Sequence, residues 1–149
     1  MMQIVALIQL VGCIVSADKQ HIMAKQSCML ATYLVRDYDD AILWFVEKLG
    51  FKLIEDTPLS DGKRWVVISS GDGGVSFLLA KADGAEQEAF IGKAAGGRVA
   101  FFLRTNNFDA SYHQMKEAGV HFTEQPRYEA YGAVVVFLDL YGNKWDLIG

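Results

Sequence analysis

The fold is decided by residues 30–51, which read LATYLVRDYDDAILWFVEKLGF. Leu30 to Val35 is an apolar run typical of a strand. Asp37 suits the N-cap of the helix that the following residues predict, and Gly50 suits a left-handed cap at its end. The segment therefore predicts a strand, a helix and the beginning of a second strand.

A weak internal repeat extends this pattern to the rest of the chain. Residues 99–149 follow residues 30–80 without a gap at a shift of 69 positions, with Asp40/Asp109, Gly50/Gly119 and Gly73/Gly142 among the identical pairs. Each copy predicts a strand, a helix and three further strands, and Asn106 or Asn107 suits the N-cap of the second helix. A ferredoxin-like α+β domain with a chance repeat is the alternative. The ungapped register through helix, glycine and turn favours the duplication.

The expected fold is therefore α+β, with two tandem βαβββ modules at residues 30–80 and 99–149. A module of this size cannot bury a sheet face alone, so the two are expected to pair about a pseudo-twofold axis. Their curved mixed sheets would form a cleft, and the helices would cover the outer faces. Residues 81–98 form the linker, and residues 1–29 lie outside the repeat.

Composition excludes several classes of protein. The chain has 149 residues, 14 Lys+Arg against 18 Asp+Glu, and a formal net charge of -4. That balance argues against a nucleic-acid partner. The hydrophobic fraction of 52% and the two prolines argue against disorder. The two cysteines, Cys13 and Cys28, are too few for a disulfide framework or a zinc site of paired cysteines.

Residues 1–17 carry no charge, and this stretch allows several interpretations. The apolar run from Ile4 to Val15 is shorter than the roughly 20 residues that a membrane span needs. The end of this stretch resembles a signal-peptide cleavage site, and Leu10 to Cys13 resembles a lipoprotein site, but no Lys or Arg precedes the run. Translation from Met23 is a further reading. We expect a cytoplasmic protein, with export or lipid anchoring as the alternative.

The repeat and its motifs resemble the vicinal oxygen chelate superfamily, which includes glyoxalase I, extradiol dioxygenases, and fosfomycin- and bleomycin-resistance proteins. The resemblance covers residues 28–149 and is carried by three segments: Val35 to Ala41, Lys48 to Phe51, and Asp139 to Leu147. It implies paired βαβββ modules with a concave site between them, and commonly a homodimer. It also implies a divalent metal held by side chains on the first and last strands of each copy.

Most of those ligand positions carry residues in this chain that do not bind metals. The resemblance places the first-strand ligands at Met29 or Leu30 and at Arg98 or Val99. It places one last-strand ligand at Asp146, whose repeat counterpart is Phe77. Asp146 alone could bind a metal, and an arginine nearby would oppose the ion. We therefore expect no metal of the family type and no cofactor.

Strand alternation predicts what faces the cleft instead. We expect the ligand-binding residues to be Tyr33, Trp65, Arg98, Phe102, Arg104, Tyr131 and Asp146. Such a cleft is aromatic, with two arginines and one carboxylate as polar anchors, and it suits a small, partly planar ligand. The arginines favour a neutral or anionic ligand over a cationic one. For Asp146, a structural ion pair with an arginine is an equal alternative.

Three functions remain open from the sequence. The first is metal-independent binding of a small aromatic or amphipathic molecule between the modules. The second is a lyase, isomerase or dioxygenase-like enzyme that uses Asp146 as a base or holds a displaced metal near it. The third is a structural or regulatory protein whose cleft is filled by its own side chains.

Overall fold

The computed structural model describes residues 26–71 and 73–149. The first module contains five regular elements. They are β1 (Leu30–Val35), α1 (Tyr38–Leu49), β2 (Lys52–Pro58), β3 (Arg64–Ser69) and β4 (Ser76–Lys81). Its sheet has the order β1-β4-β3-β2, with β1 parallel to β4 and the other pairs antiparallel. The interpretations of the amino-terminal stretch, including a start at Met23, fall on residues 1–25 and lie outside this description.

The second module repeats this arrangement. Its elements are β5 (Val99–Arg104), α3 (Phe108–Glu117), β6 (His121–Phe122), β7 (Arg127–Glu129), β8 (Gly132–Leu138) and β9 (Lys144–Ile148). The sheet has the order β5-β9-β8-β6, β7 also pairs with β8, and β5 runs parallel to β9. A short helix, α2 (Gly84–Glu88), lies between the modules. The predicted α+β fold of two tandem βαβββ modules is confirmed. No helix within the described residues has the length and apolar character needed to cross a membrane.

The helices begin at the predicted caps. The Asp37 carboxylate accepts hydrogen bonds from the backbone amides of Asp39 and Asp40 at 2.9 and 3.2 Å. Asn107 caps α3 in the same way, accepting from the Ala110 amide at 3.1 Å. These bonds satisfy donors that a helix start leaves free. Gly50 ends α1 with φ of 69°, which is a left-handed conformation.

One aromatic cluster joins the two modules. Trp145 of β9 is 2% exposed, and its ring contacts Phe45 and Phe77 from the first module and Phe101 and Phe137 from the second. The helix-covered side chains of both sheets thus share a single core. Burying rings of this size is a large part of what holds the modules together.

The constant shift of 69 positions is wrong at both ends of the repeat. The caps Asp37 and Asn107 are 70 positions apart, as are the core residues Tyr33 and Leu103. Phe77 and Trp145, which occupy equivalent places on the last strands, are 68 apart. Relative to the first module, the second module lacks one residue near the end of its helix and another in its final hairpin. Because a slip of one residue reverses the face of a strand, the shift of 69 assigned Tyr33 to the wrong side of its sheet.

Candidate functional site

A cleft of about 980 Å³ lies between the two modules. Its walls are the edge strand β5, the first residues of β1 and β4, and the loop that connects β3 to β4. Within the described part of the chain β5 has no hydrogen-bonded neighbour on one side, and side chains from both of its faces border the cleft. The first module contributes Ala31 and Phe77, and the second contributes Phe101, Phe102 and Trp145.

The aromatic floor of the cleft is held in place by a buried polar network. The rings of Phe101 and Trp145 lie 4.5 Å apart between centroids. The Trp145 Nε1 atom donates a hydrogen bond to Asp139 Oδ2 at 2.8 Å. The same oxygen accepts from the Tyr33 hydroxyl at 2.5 Å and from Asn143 Nδ2 at 3.0 Å. Bonds to a buried carboxylate are strong, so the tryptophan ring has a fixed orientation.

The loop between β3 and β4 forms the opposite wall and turns tightly. Its Gly74 amide donates to the Gly71 carbonyl at 3.1 Å. A Cβ atom on Gly74 would lie 2.0 Å from the Ser70 Oγ atom, so a larger residue would push the serine side chain aside. No local pattern in the sequence predicts this wall, because it forms only where the loop meets strand β5. Its position beside two edge strands brings it into the cleft.

Two of the predicted ligand-binding residues line the cleft. Phe102 lies on β5 with 66% of its surface exposed, which is a large apolar area for a side chain that the described residues leave uncovered. Arg104 ends the same strand and is also exposed. Its guanidinium forms no ion pair with any carboxylate among residues 26–71 and 73–149. Arg104 is the only charged side chain among the described residues of the lining.

Tyr33 lies on the helix-covered face, contrary to the prediction, for the reason of register given above. It is 3% exposed and its hydroxyl is bonded to Asp139 and Asn143. Burial, together with the charge of Asp139, raises the pKa of Tyr33 far above its usual value. Tyr33 borders a second and smaller cavity of about 200 Å³, whose wall also includes Phe90 and Asn143.

The structure does not bring Trp65, Arg98 and Tyr131 into the lining of the cleft. Trp65 is half-buried near the start of β3, where it pairs with Thr57 of β2. Arg98 is an exposed residue just before β5. Tyr131 lies in the turn between β7 and β8 and is 71% exposed.

Asp146 lies on β9, on the face opposite to Trp145. Its neighbours on the adjacent strands are Phe102 and Val136. The Oδ1 atom is buried and has no hydrogen-bond partner among the described residues. Desolvation raises the pKa of the Asp146 carboxyl, the Arg127 charge lowers it, and Glu124 raises it further. The alternative of a structural ion pair is not seen, because no arginine of the described residues forms an ion pair with Asp146 and Arg127 bonds to glutamates.

The donor set around Asp146 does not fit a divalent metal. Its flanking residues on β5 and β8 are apolar, and its true structural counterpart in the first module is Leu78. No group of three His, Cys, Asp or Glu side chains that could hold an ion occurs in the described part of the chain. A divalent ion in a protein takes several such ligands at once. We therefore derive no chemistry through a metal at this position.

Comparison with known proteins agrees with the fold. A protein of Shewanella frigidimarina (strain NCIMB 400), itself uncharacterized, is 51% identical over 126 residues, which is 83% of this chain and 93% of that protein. The crystal structure of UcmS2 is 28% identical with a TM-score of 0.72, covering 84% of this chain and 98% of its own. TnmS3, an antibiotic binding protein from Streptomyces sp. CB03234, is 26% identical with a TM-score of 0.65, covering 85% and 97%.

A family model gives the same answer for the sequence. It describes the Glyoxalase/Bleomycin resistance protein/Dioxygenase superfamily and matches residues 21–147. The match spans both modules and the linker, and it confirms the resemblance that the repeat and its motifs indicated. On the strength of this match and of the paired βαβββ modules, the chain belongs to the Glyoxalase/Bleomycin resistance protein/Dioxygenase superfamily.

Proposed function

We propose that this protein binds a small, partly planar aromatic molecule in the cleft between its modules and acts by holding that molecule, without a metal. The aromatic lining of the cleft carries this proposal. Phe77, Phe101, Phe102 and Trp145 border a volume of about 980 Å³, at the upper end of the usual range of about 300–1,000 Å³ for small-molecule sites. The antibiotic-binding relative TnmS3 has the same fold and supports a ligand of this kind.

Phe102 is the residue that we expect to contact the ligand most directly. Its ring is exposed, whereas Phe101 and Trp145 are packed into the floor behind it. A planar ligand can stack on this ring and on the edge of the floor, and each aromatic pair contributes about 0.5–1.5 kcal/mol beyond the area it buries. Rings whose orientation is fixed lose little conformational freedom when the ligand arrives.

The proposal includes metal independence because the described residues offer a lone carboxylate, Asp146, where a metal enzyme needs several ligands. It also includes a homodimer as the assembled form, which the family resemblance implies, and a cytoplasmic location. A second copy would cover apolar surface such as the ring of Tyr128, which is 76% exposed. Sedimentation measurements test the dimer, and fractionation of cells that express the full chain tests the location.

Calorimetric titration with a panel of planar aromatic compounds tests the binding function. The variant Phe102→Ala is expected to weaken binding by about fivefold to tenfold, since it removes one stacking partner. Phe90→Ala is the matched control, because Phe90 is 61% exposed and borders the smaller cavity instead. Loss of affinity in the Phe90 variant alone would assign the ligand to the smaller cavity, and an absence of binding across the panel would overturn the proposal.

An isomerase or lyase that uses Asp146 as a base is the second candidate. It is favoured by one observation, the buried Oδ1 atom of Asp146 without a hydrogen-bond partner, together with the raised pKa of that carboxyl. A buried carboxylate whose pKa is raised is a candidate for a general base. Turnover of a bound compound by the parent protein and its loss in Asp146→Asn would establish this candidate over simple binding.

A further inference from the structure

A small polar cavity opens beside the aromatic cleft. Its volume is about 210 Å³, and it lies between the end of α1, the end of β5 and the middle of α3. Four residues border both spaces: Ser70, Leu103, Arg104 and Thr105. The two spaces are therefore neighbours that share a wall, and one molecule of moderate size could occupy both.

Two cations border this cavity and no carboxylate does so among the described residues. Arg104 reaches it from the end of β5, and Lys48 reaches it from the last turn of α1. The net charge of the whole chain is -4, so this local excess of positive charge is opposite in sign to the rest of the molecule. Clustered cations in a partly enclosed space attract an oxyanion.

The ammonium group of Lys48 is fixed in position. Its Nζ atom donates a hydrogen bond to the backbone carbonyl of Ala118, at the end of α3, at 2.5 Å. This bond uses one of the three N–H donors of the ammonium and leaves two for a ligand. This hydrogen bond connects the helices of the two modules and keeps the ammonium charge at the junction between them. Lys48 forms no ion pair with another described residue.

Hydroxyl and amide groups add neutral donors around the two cations. The Oγ atoms of Thr105 and Ser111 lie 2.7 Å apart, and Gln114 and Ser70 also border the cavity. The proton of Ser111 is available to a ligand when Thr105 donates to Ser111 instead of to the Asn107 carbonyl, which lies 3.3 Å from the Thr105 hydroxyl. A carboxylate or sulfonate needs several donors to replace its water shell, and these side chains supply them.

We infer that the polar cavity binds an anionic group of the same ligand whose aromatic part occupies the cleft, so that the ligand is an aromatic oxyacid. Arg104 lies on the shared wall and pairs with the anionic group, and Lys48 completes the site from the other module. This inference rests on the proposed binding function and names the chemical class of its ligand. It adds a requirement for negative charge that the aromatic lining alone does not impose.

Matched pairs of probes test the inference. 4-(Phenylamino)benzoate carries a carboxylate that the neutral compound diphenylamine lacks, and diphenylamine-4-sulfonate carries a sulfonate at the same ring position. Calorimetric titration of the full chain should give the anionic probes about tenfold higher affinity than diphenylamine, which corresponds to one good charged contact. Comparison of the two acids shows which oxyanion the cavity prefers.

Variants then locate the charge contact. Arg104→Gln and Lys48→Gln should each lower the affinity for the anionic probes about fivefold to tenfold and change that for diphenylamine less than twofold. Lys63→Gln removes an exposed ammonium outside the cavity, which pairs with Asp83, and should change neither affinity. Inorganic sulfate should compete with the anionic probes and not with diphenylamine, which tests the site in the unaltered protein.

The possible failures are distinguishable. If neither the acids nor diphenylamine bind, the proposed binding function is overturned. If diphenylamine binds as tightly as the acids, or if Arg104→Gln weakens all probes equally, the aromatic site stands and the anionic site is overturned. Binding of the acids that responds to Lys63→Gln and not to Arg104→Gln would also overturn it.

Discussion

The Nε1 atom of Trp145 donates to Asp139 Oδ2 at 2.8 Å, and through this bond the last hairpin of the chain orients the floor of the cleft. Asp139 is 6% exposed and also accepts from the Tyr33 hydroxyl and from the backbone amides of Tyr141 and Asn143. One carboxylate therefore joins the first strand of one module to the final hairpin of the other.

Asp139→Asn is expected to lower the free energy of unfolding by about 3 kcal/mol. In asparagine an NH2 group replaces one carboxylate oxygen and faces at least one of the N–H or O–H groups that now donate to that oxygen. The buried groups then lose a hydrogen bond, and a buried polar group without a partner costs about 1–3 kcal/mol. Tyr33→Phe removes a single hydroxyl and is expected to cost about 1 kcal/mol. Urea unfolding of the three proteins measures both values, and an Asp139 variant as stable as the parent would contradict the structural role.

The fold could be predicted from the sequence because caps, glycines and strand spacing all agree. Asp37, Gly50 and Asn107 are at the predicted places, since a cap is a local property that a few neighbouring residues determine. The site was harder to predict because it depends on the face of each strand. A repeat read with a constant shift reversed the face of Tyr33, and no local pattern marks the two positions where a residue is lost.

The cleft itself depends on contacts between distant segments. Phe102 and Arg104 could be identified by alternation along β5, which is one short strand. The wall formed by Ser70 and Gly74 could not, because it is created by the loop between β3 and β4 meeting the edge of β5. The same holds for Lys48, whose position at the polar cavity depends on a bond to Ala118 on another helix.

Asp146→Asn is expected to stabilise the protein at neutral pH. Desolvation raises the pKa of the Asp146 carboxyl in the folded state. The protonated carboxyl therefore stabilises the fold fully at pH values below the pKa of the unfolded state. This contribution is lost as the pH rises through the pKa of the folded state. Asparagine is neutral at every pH and avoids the cost of burying the charge. The difference in Tm between variant and parent should therefore be largest near neutral pH and shrink in acid.

Thermal unfolding between neutral pH and about pH 4, close to the usual Asp pKa, measures this difference. Asp61→Asn provides the control, because Asp61 is an exposed residue of a turn and asparagine tolerates its positive φ of 59°. A Tm difference for Asp146→Asn that does not change with pH, or that grows in acid, would contradict the assignment of a desolvated carboxyl.

Removal of metal is expected to leave the protein unchanged. Protein purified without a chelator should contain well under one equivalent of Zn, Ni, Fe or Mn by elemental analysis, because Asp146 has no further ligand side chains beside it among the described residues. Treatment with a chelator should shift neither the Tm nor the affinity for an aromatic probe. If the parent protein contained one equivalent of metal and the Asp146→Ala variant contained none, metal independence would be wrong. That result would favour an enzyme with a metal near Asp146.

Asn143→Ala is expected to release the linker from the second module. The Oδ1 atom of Asn143 accepts a hydrogen bond from the Ala94 amide at 3.0 Å, while its Nδ2 atom donates to the Tyr33 hydroxyl at 3.0 Å. Alanine removes both bonds, together with the bond from Nδ2 to Asp139, and leaves the linker amide to exchange with solvent. Hydrogen exchange measured by mass spectrometry should show faster exchange in peptides that contain Ala94. Tyr33→Phe serves as the comparison, because it breaks the network on the other side of Asn143 and should leave Ala94 protected; equal exchange in both variants would show that the linker is held by other contacts.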